Sequence, residues 1–218
     1  MRNPSPMPLP IRCRDMDSMF PFCPSVSSDA LANAQSNLIR AIFWREKASR
    51  LSASPETIMS IKVGDRLPEA TFMTFTADGP APRTTDDIFN GKTVALFAVP
   101  GAFTPTCSAR HLPGFKDHAA ELKAKGVDLI ACVSVNDVFV MNAWGESQDV
   151  GEDVLMLADG NGAFAKAVGL ELDGSKFGMG PRSQRYSMIV KDGVVDTLNV
   201  EAGGEFRVSS AEHMLEQL

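Results

Sequence analysis

Apolar and polar positions follow two different rhythms along this chain. Residues 93–99 (Thr-Val-Ala-Leu-Phe-Ala-Val) form an almost unbroken apolar run, the pattern of a central strand buried on both faces. Residues 127–135 read the same way, and shorter runs over 70–75 and 154–158 predict two more strands. Between these runs the apolar spacing changes to three and four. Leu112, Phe115, Ala119 and Leu122 share one face of a helix predicted over 105–125. Pro113 should kink that helix, because proline removes a backbone donor and crowds the preceding turn. Residues 85–89 predict a short helical turn and 163–168 a helix. Asn136 and Asp137 are placed to cap a helix running to about Gln148. Residues 185–191 and 194–200 pair as a hairpin across Asp192-Gly193, a dipeptide suited to a two-residue turn. Ser209 and Glu212 read as a capping box for a last helix over 209–218. The alternation predicts an α/β sandwich, a central mixed β-sheet flanked by helices.

The first 58 residues break this rhythm. Residues 1–28 hold six prolines and little periodicity, which predicts a disordered leader. Leu31, Ala34, Leu38, Ala41 and Ile42 then fall near one face of a possible amphipathic helix over 29–51. The polar cluster at Arg12-Cys13-Arg14-Asp15 argues against a secretory signal, and five acidic residues argue against a transit peptide. Met59 opens a stretch that reads as a normal domain start. The expected organisation is a leader over 1–58, which could also be upstream sequence from a mis-assigned start, and one domain over 59–218.

Composition narrows the function. The 218 residues are 44% hydrophobic and 22% charged, as in a globular protein with an ordinary core. A net charge of −6 disfavours a nucleic-acid surface, and no apolar stretch approaches the ~20 residues of a membrane-spanning helix. The four cysteines (Cys13, Cys23, Cys107, Cys132) form no C-x-x-C pair, and three histidines add no metal-ligand spacing. This is not a disulfide framework, so a reducing compartment, the cytoplasm, is expected.

The candidate chemistry sits at the end of the 93–99 run, in Pro100-Gly-Ala-Phe-Thr104-Pro-Thr-Cys107-Ser. A thiol at a strand-to-helix junction lies near unpaired N–H groups and the positive end of the helix dipole, and both favour the nucleophilic thiolate. Thr104 lies three residues before Cys107, which on a first helical turn puts its hydroxyl and the sulfur on one side. Pro100 sets the chain direction and can screen the sulfur from water. A cation to hold the thiolate must come from elsewhere in the chain.

This motif resembles the peroxidatic motif of the peroxiredoxins, in the type II or peroxiredoxin-5-like branch. The resemblance continues through His111-Leu-Pro-Gly-Phe115, Cys132-Val-Ser-Val-Asn-Asp137, Phe139-Val140, Trp144, Leu157-Ala-Asp159 and Arg185-Tyr-Ser-Met-Ile-Val190, from about residue 60 to the C-terminus. It implies a thioredoxin-like fold and reduction of hydrogen peroxide and alkyl hydroperoxides without metal or organic cofactor. By the same resemblance Cys107 is the peroxidatic cysteine, Thr104 orients the peroxide, Pro100 shields the thiolate and Arg185 lies against it, with Arg182 a nearby second candidate for the cation. The family often forms homodimers.

The chain departs from the family in one place. Some relatives carry a resolving cysteine before the last helix, where this chain reads Gly204-Glu-Phe-Arg-Val-Ser-Ser210. Cys132 matches the second cysteine of other relatives, yet its place inside an apolar strand reads as a small core hydrophobe. Both roles stay open. A one-cysteine cycle is expected, with glutathione/glutaredoxin or thioredoxin supplying the external thiol. Trp144, Phe89, Phe103 and Phe139 read mostly as core, with a subset facing a dimer partner. Three rival readings stand beside this one. In a cysteine hydrolase, His111 would be the base. A thiol–disulfide oxidoreductase lacks its C-x-x-C. A holdase or peroxide-relay protein on the same fold would bind clients rather than turn over peroxide.

Overall fold

Residues 93–99 form the central strand that their composition predicts. In the computed structural model, which describes residues 60–218, this strand, β3 (Thr93–Val99), lies between a parallel and an antiparallel neighbour. The expectations for residues 1–58, with Cys13 and Cys23, fall outside the described residues. The remaining strands are β1 (Thr71–Thr76), β2 (Gly79–Thr84), β4 (Leu129–Ser134), β5 (Leu155–Ala158), β6 (Glu171–Asp173), β7 (Pro181–Ser183), β8 (Tyr186–Lys191) and β9 (Val194–Val200). The helices are α1 (Thr85–Phe89), α2 (Leu112–Asp117), α3 (Ala119–Ala124), α4 (Val138–Ser147), α5 (Ala163–Ala167) and α6 (Ala211–Gln217), and a π-helical turn, Cys107–His111, leads into α2. Among the described residues seven strands make one mixed sheet, in the order β2-β1-β5-β4-β3-β8-β9, and β6 and β7 pair separately.

Period-two alternation divides the core into two layers. Ala95, Phe97 and Val99 of β3, with Ile130 and Cys132 of β4, face a layer that also holds Cys107, Phe115, Leu122, Trp144 and Met214. Val94, Leu96 and Ala98, with Ala131 and Val133, face the opposite layer of Phe72, Phe89, Phe164 and Tyr186. Phe97 and Phe115 stack with ring centroids 4.1 Å apart and planes 6° from parallel, fixing α2 on the sheet directly behind the site.

The structure departs from the sequence expectations in four places. β2 was not expected, because Gly79-Pro80-Ala81-Pro82 reads as a loop; its prolines are accommodated because β2 is an edge strand. β6 and β7 are too short to show a pattern. The helix over 105–125 is divided. Pro113 has no N–H, and the ladder shifts before it, so that Leu112 N–H donates to Cys107 O across a wider π ring; a second break follows at His118 (φ −94°, ψ 11°). The last helix is capped by Ser210, whose hydroxyl accepts from His213 N–H, and not by Ser209, which is buried and bonded elsewhere. The hairpin is as expected: Asp192 (φ 50°) and Gly193 (φ 74°) both take the positive φ of a type I′ turn.

Candidate active site

Residues 100–106 carry the chain from the C-terminal end of β3 into the helical stretch through a tight loop. Phe103 adopts φ 61° and is 54% exposed, a conformation uncommon for a bulky residue outside a constrained turn. Two contacts hold the loop. Ala102 N–H donates to Asn136 Oδ1 at 3.0 Å, and Ser134 Oγ donates to the same oxygen at 2.8 Å, tying it to the end of β4. A Cβ on Gly101 would lie 3.2 Å from Thr104 Cγ2, so the glycine lets Thr104 pack close.

Cys107 has no exposed surface. Thr104 Oγ1 lies 2.8 Å from its sulfur and 2.9 Å from Gly101 O. One hydroxyl carries one proton. With a thiolate, Oγ1–H points at sulfur; with a thiol, S–H can donate to Oγ1 while Oγ1–H turns to Gly101 O. Arg185, the residue before β8, places Nη2 3.4 Å from Cys107 Sγ. Trp144 Nε1–H donates to Ser108 Oγ at 3.0 Å and pins the turn to α4. Pro100 is half-buried and starts the loop.

The structure thus brings Thr104 and Arg185 to Cys107, with Pro100 at the start of the same loop. Arg182 goes elsewhere: Nε donates to Met179 O at 2.9 Å and Nη1 to Val135 O, so it braces the β7 segment and is not the thiolate's cation. His111 does not fit the role of a hydrolase base. It is fully buried, its Nε2–H donates to Ser209 O at 3.0 Å, and its Nδ1 accepts from Arg185 Nη1 at 2.8 Å. With that lone pair taken, it has none for a substrate proton. Burial, then the Arg185 charge, push its pKa down to about 3 against the Ser209 hydrogen bond, so the ring is neutral. Phe89 and Trp144 are core, whereas Phe139 is 65% exposed.

Cys132 lies on β4 in the same buried layer as Cys107. Burial first, and then the charge of Cys107, push its thiol pKa well up, against a smaller opposing pull from Arg185. The residues that spacing did not reveal are in the segment before α6. Phe206 packs 4.9 Å from the His111 ring and 5.7 Å from the Arg185 guanidinium carbon. Glu201, just after β9, accepts from Arg207 N–H, Ser209 N–H and Ser209 Oγ. A lone acidic residue at a strand end before Gly203-Gly204 was the only available signal.

The Redoxin family matches residues 62–215. Among named proteins, Peroxiredoxin-2E-2, chloroplastic, of Oryza sativa is 54% identical over 90% of this chain and 88% of its own length. Peroxiredoxin-2B of Arabidopsis thaliana is 48% identical over 72% of this chain and 98% of its own. Among solved structures, reduced Prx3 of Vibrio vulnificus in complex with hydrogen peroxide superposes with a TM-score of 0.70 at 58% identity, covering 72% of this chain and 98% of that one. Family and fold agree, and this chain belongs to the peroxiredoxins, thiol peroxidases of the Redoxin family, in their type II branch.

Proposed function

We propose that Cys107 reduces hydrogen peroxide and alkyl hydroperoxides in a one-cysteine cycle. The observation that carries this reading is the convergence of the Thr104 hydroxyl at 2.8 Å and the Arg185 guanidinium at 3.4 Å on one buried sulfur. The thiolate attacks one peroxide oxygen and the O–O bond breaks. The S–O bond forms, giving a sulfenic acid, and the departing hydroxide or alkoxide takes the proton that the thiol released. Arg185 and Thr104 face the oxygens on which charge develops, in a site closed to water. Pro100, half-buried where the loop begins, is the shield that the family resemblance assigns. An external thiol then displaces hydroxide from the sulfenic sulfur as water, leaving a mixed disulfide that a second thiol reduces.

Cys132, the one other cysteine among the described residues, supports a one-cysteine cycle through its burial and raised pKa, since the thiolate is what resolves a sulfenic acid. Glutathione with glutaredoxin, or thioredoxin, supplies the reductant. Exposed Phe103, on the loop that carries Thr104, and exposed Phe139, near the start of α4, support a homodimer. No helix among the described residues is long and apolar enough to cross a membrane. The match to the rice protein spans 90% of this chain and so reaches into residues before 60, which supports a genuine leader. That relative is named chloroplastic, so the cytoplasm expected from the sequence is to be tested against an organelle by tagging the full chain and residues 59–218.

The deciding experiment mixes reduced wild type and Cys107→Ser with one equivalent of hydrogen peroxide, traps sulfenic acid and counts thiols. Fast, Cys107-dependent sulfenic acid with one thiol lost supports the cycle. Loss of two thiols that falls to one in Cys132→Ser makes Cys132 the resolving cysteine. Absence of any fast reaction refutes Cys107 as the attacking group.

A further inference from the structure

We propose that Glu201 is a positioning residue for the thiolate site, acting through the segment it folds. Its main chain and side chain reach the site by separate routes. Glu201 N–H donates to Arg185 O at 3.0 Å, fixing the backbone of the residue that faces the sulfur. Glu201 is only 8% exposed, and one carboxylate oxygen, Oε1, accepts from Arg207 N–H at 2.6 Å, Ser209 N–H at 2.8 Å and Ser209 Oγ at 2.9 Å. Burial raises the Glu201 pKa, but the bonds from Ser209, Arg207 and Val208 outweigh it and leave the value below the ordinary one. The group is therefore an anion at neutral pH, held by N–H and O–H donors.

Apart from the Glu205 N–H bond to Ala202 O and the packing of Phe206 against His111 and Arg110, residues 202–209 have no regular structure to shape them. They contain Gly203-Gly204, with Gly204 at φ 82°, and form neither helix nor strand. The carboxylate acts as the template around which they turn. What they present follows from that fold. Ser209 O takes the His111 Nε2–H, which leaves Nδ1 as an acceptor; Nδ1 takes Arg185 Nη1, which leaves Nη2 facing Cys107. Phe206 covers His111 and Arg185 from outside. Without the carboxylate, Arg207 and Ser209 N–H turn to water, Ser209 O no longer fixes the imidazole, and Arg185 keeps its charge but loses its second anchor. The charged or titratable groups around Cys107 are Arg185 from just before β8, His111 from the π turn, bonded to Arg185, and Cys132 from β4, and none of the three is substituted in the variants below.

The inference rests on Cys107 being the attacking thiolate, and the test separates the two. Wild type, Glu201→Ala, Glu201→Gln and Glu201→Asp are compared for the rate constant with hydrogen peroxide against pH, and for the histidine ring ¹⁵N shifts that report the His111 tautomer. Glu201→Ala is expected to react about 10-fold more slowly at pH 7 and to move the pH–rate profile about one unit toward alkaline pH. It should also lose the fixed Nε2–H signature. Glu201→Gln keeps an accepting oxygen and should hold the tautomer and stay within about threefold of wild type. If Glu201→Ala does not fold, Glu201→Asp decides, since it withdraws the same charge by one methylene and should show a smaller displacement of the same sign. An unchanged pH profile and tautomer in a folded Ala or Asp variant overturns the proposal, even if thermal stability falls. A wild type that forms no sulfenic acid overturns the function instead.

Discussion

Replacing Thr104 by valine tests the site with the least disturbance to its shape. The side chain stays β-branched and keeps its size, but the hydroxyl 2.8 Å from Cys107 Sγ is gone. Gly101 O keeps the weaker donor Thr104 N–H at 3.4 Å, and the half-buried side chain leaves no cavity. The loss is therefore one hydrogen bond to a charged acceptor, about 1.5–3 kcal/mol. At a tenfold change per ~1.4 kcal/mol, the reaction with peroxide should slow by about 10- to 150-fold. Thr104→Ser, which restores the hydroxyl, should recover to within about threefold. The assay is stopped-flow mixing of reduced protein with peroxide, followed by tryptophan fluorescence. Trp144 is a suitable reporter because its indole is bonded to Ser108, next to the reacting residue. A folded Thr104→Val reacting as fast as wild type would refute the idea that this hydroxyl holds the thiolate and its peroxide.

Three further outcomes are expected. Arg185→Lys keeps a charge but cannot reach both His111 Nδ1 and Cys107 Sγ, so it should lose at least about 100-fold in the peroxide rate, and Arg185→Ala more; equal rates by stopped flow would remove Arg185 from the site. His111 makes stability pH-dependent. Its folded pKa of about 3 lies below the ordinary 6.5, so the unfolded chain binds a proton that the native ring refuses, and stability is lost as pH falls from 6.5 toward 3. At pH 5 that group alone should cost about 2 kcal/mol in urea unfolding relative to pH 7, and His111→Gln should lack this contribution. Phe115→Ala removes the ring stacked on Phe97 at 4.1 Å and should destabilise the protein by about 3–5 kcal/mol, read from urea midpoints.

The sequence made legible whatever is written in local pattern. β3 and β4 declare themselves because both their faces are apolar, Asp137 caps α4 with its own side chain, and Thr104 and Cys107 meet because three residues separate them on one turn. Arg185 was found through family resemblance, since nothing local reveals that a residue 78 positions from Cys107 will face it. For His111, Arg182 and Ser209 the neighbours in sequence mislead, because each is defined by a distant partner: His111 by Arg185 and Ser209, Arg182 by Val135, and Ser209 by Glu201. Edge strand β2 was hidden for another reason, because its prolines carry a loop signature that only its position at the sheet's rim reconciles with pairing.

The complete enclosure of the Cys107 sulfur acts as a size filter that treats the two halves of the cycle differently. A small peroxide needs only modest side-chain motion beside the sulfur to arrive. A thiol carried on another protein must come in line with the sulfenic sulfur, which the fold encloses. Reduction by such a partner then waits on a local opening of the first turn, with a free energy far smaller than that of global unfolding. Its rate should level off at high reductant concentration, at a ceiling set by this opening. Sub-denaturing urea should raise that ceiling while leaving the peroxide step no faster.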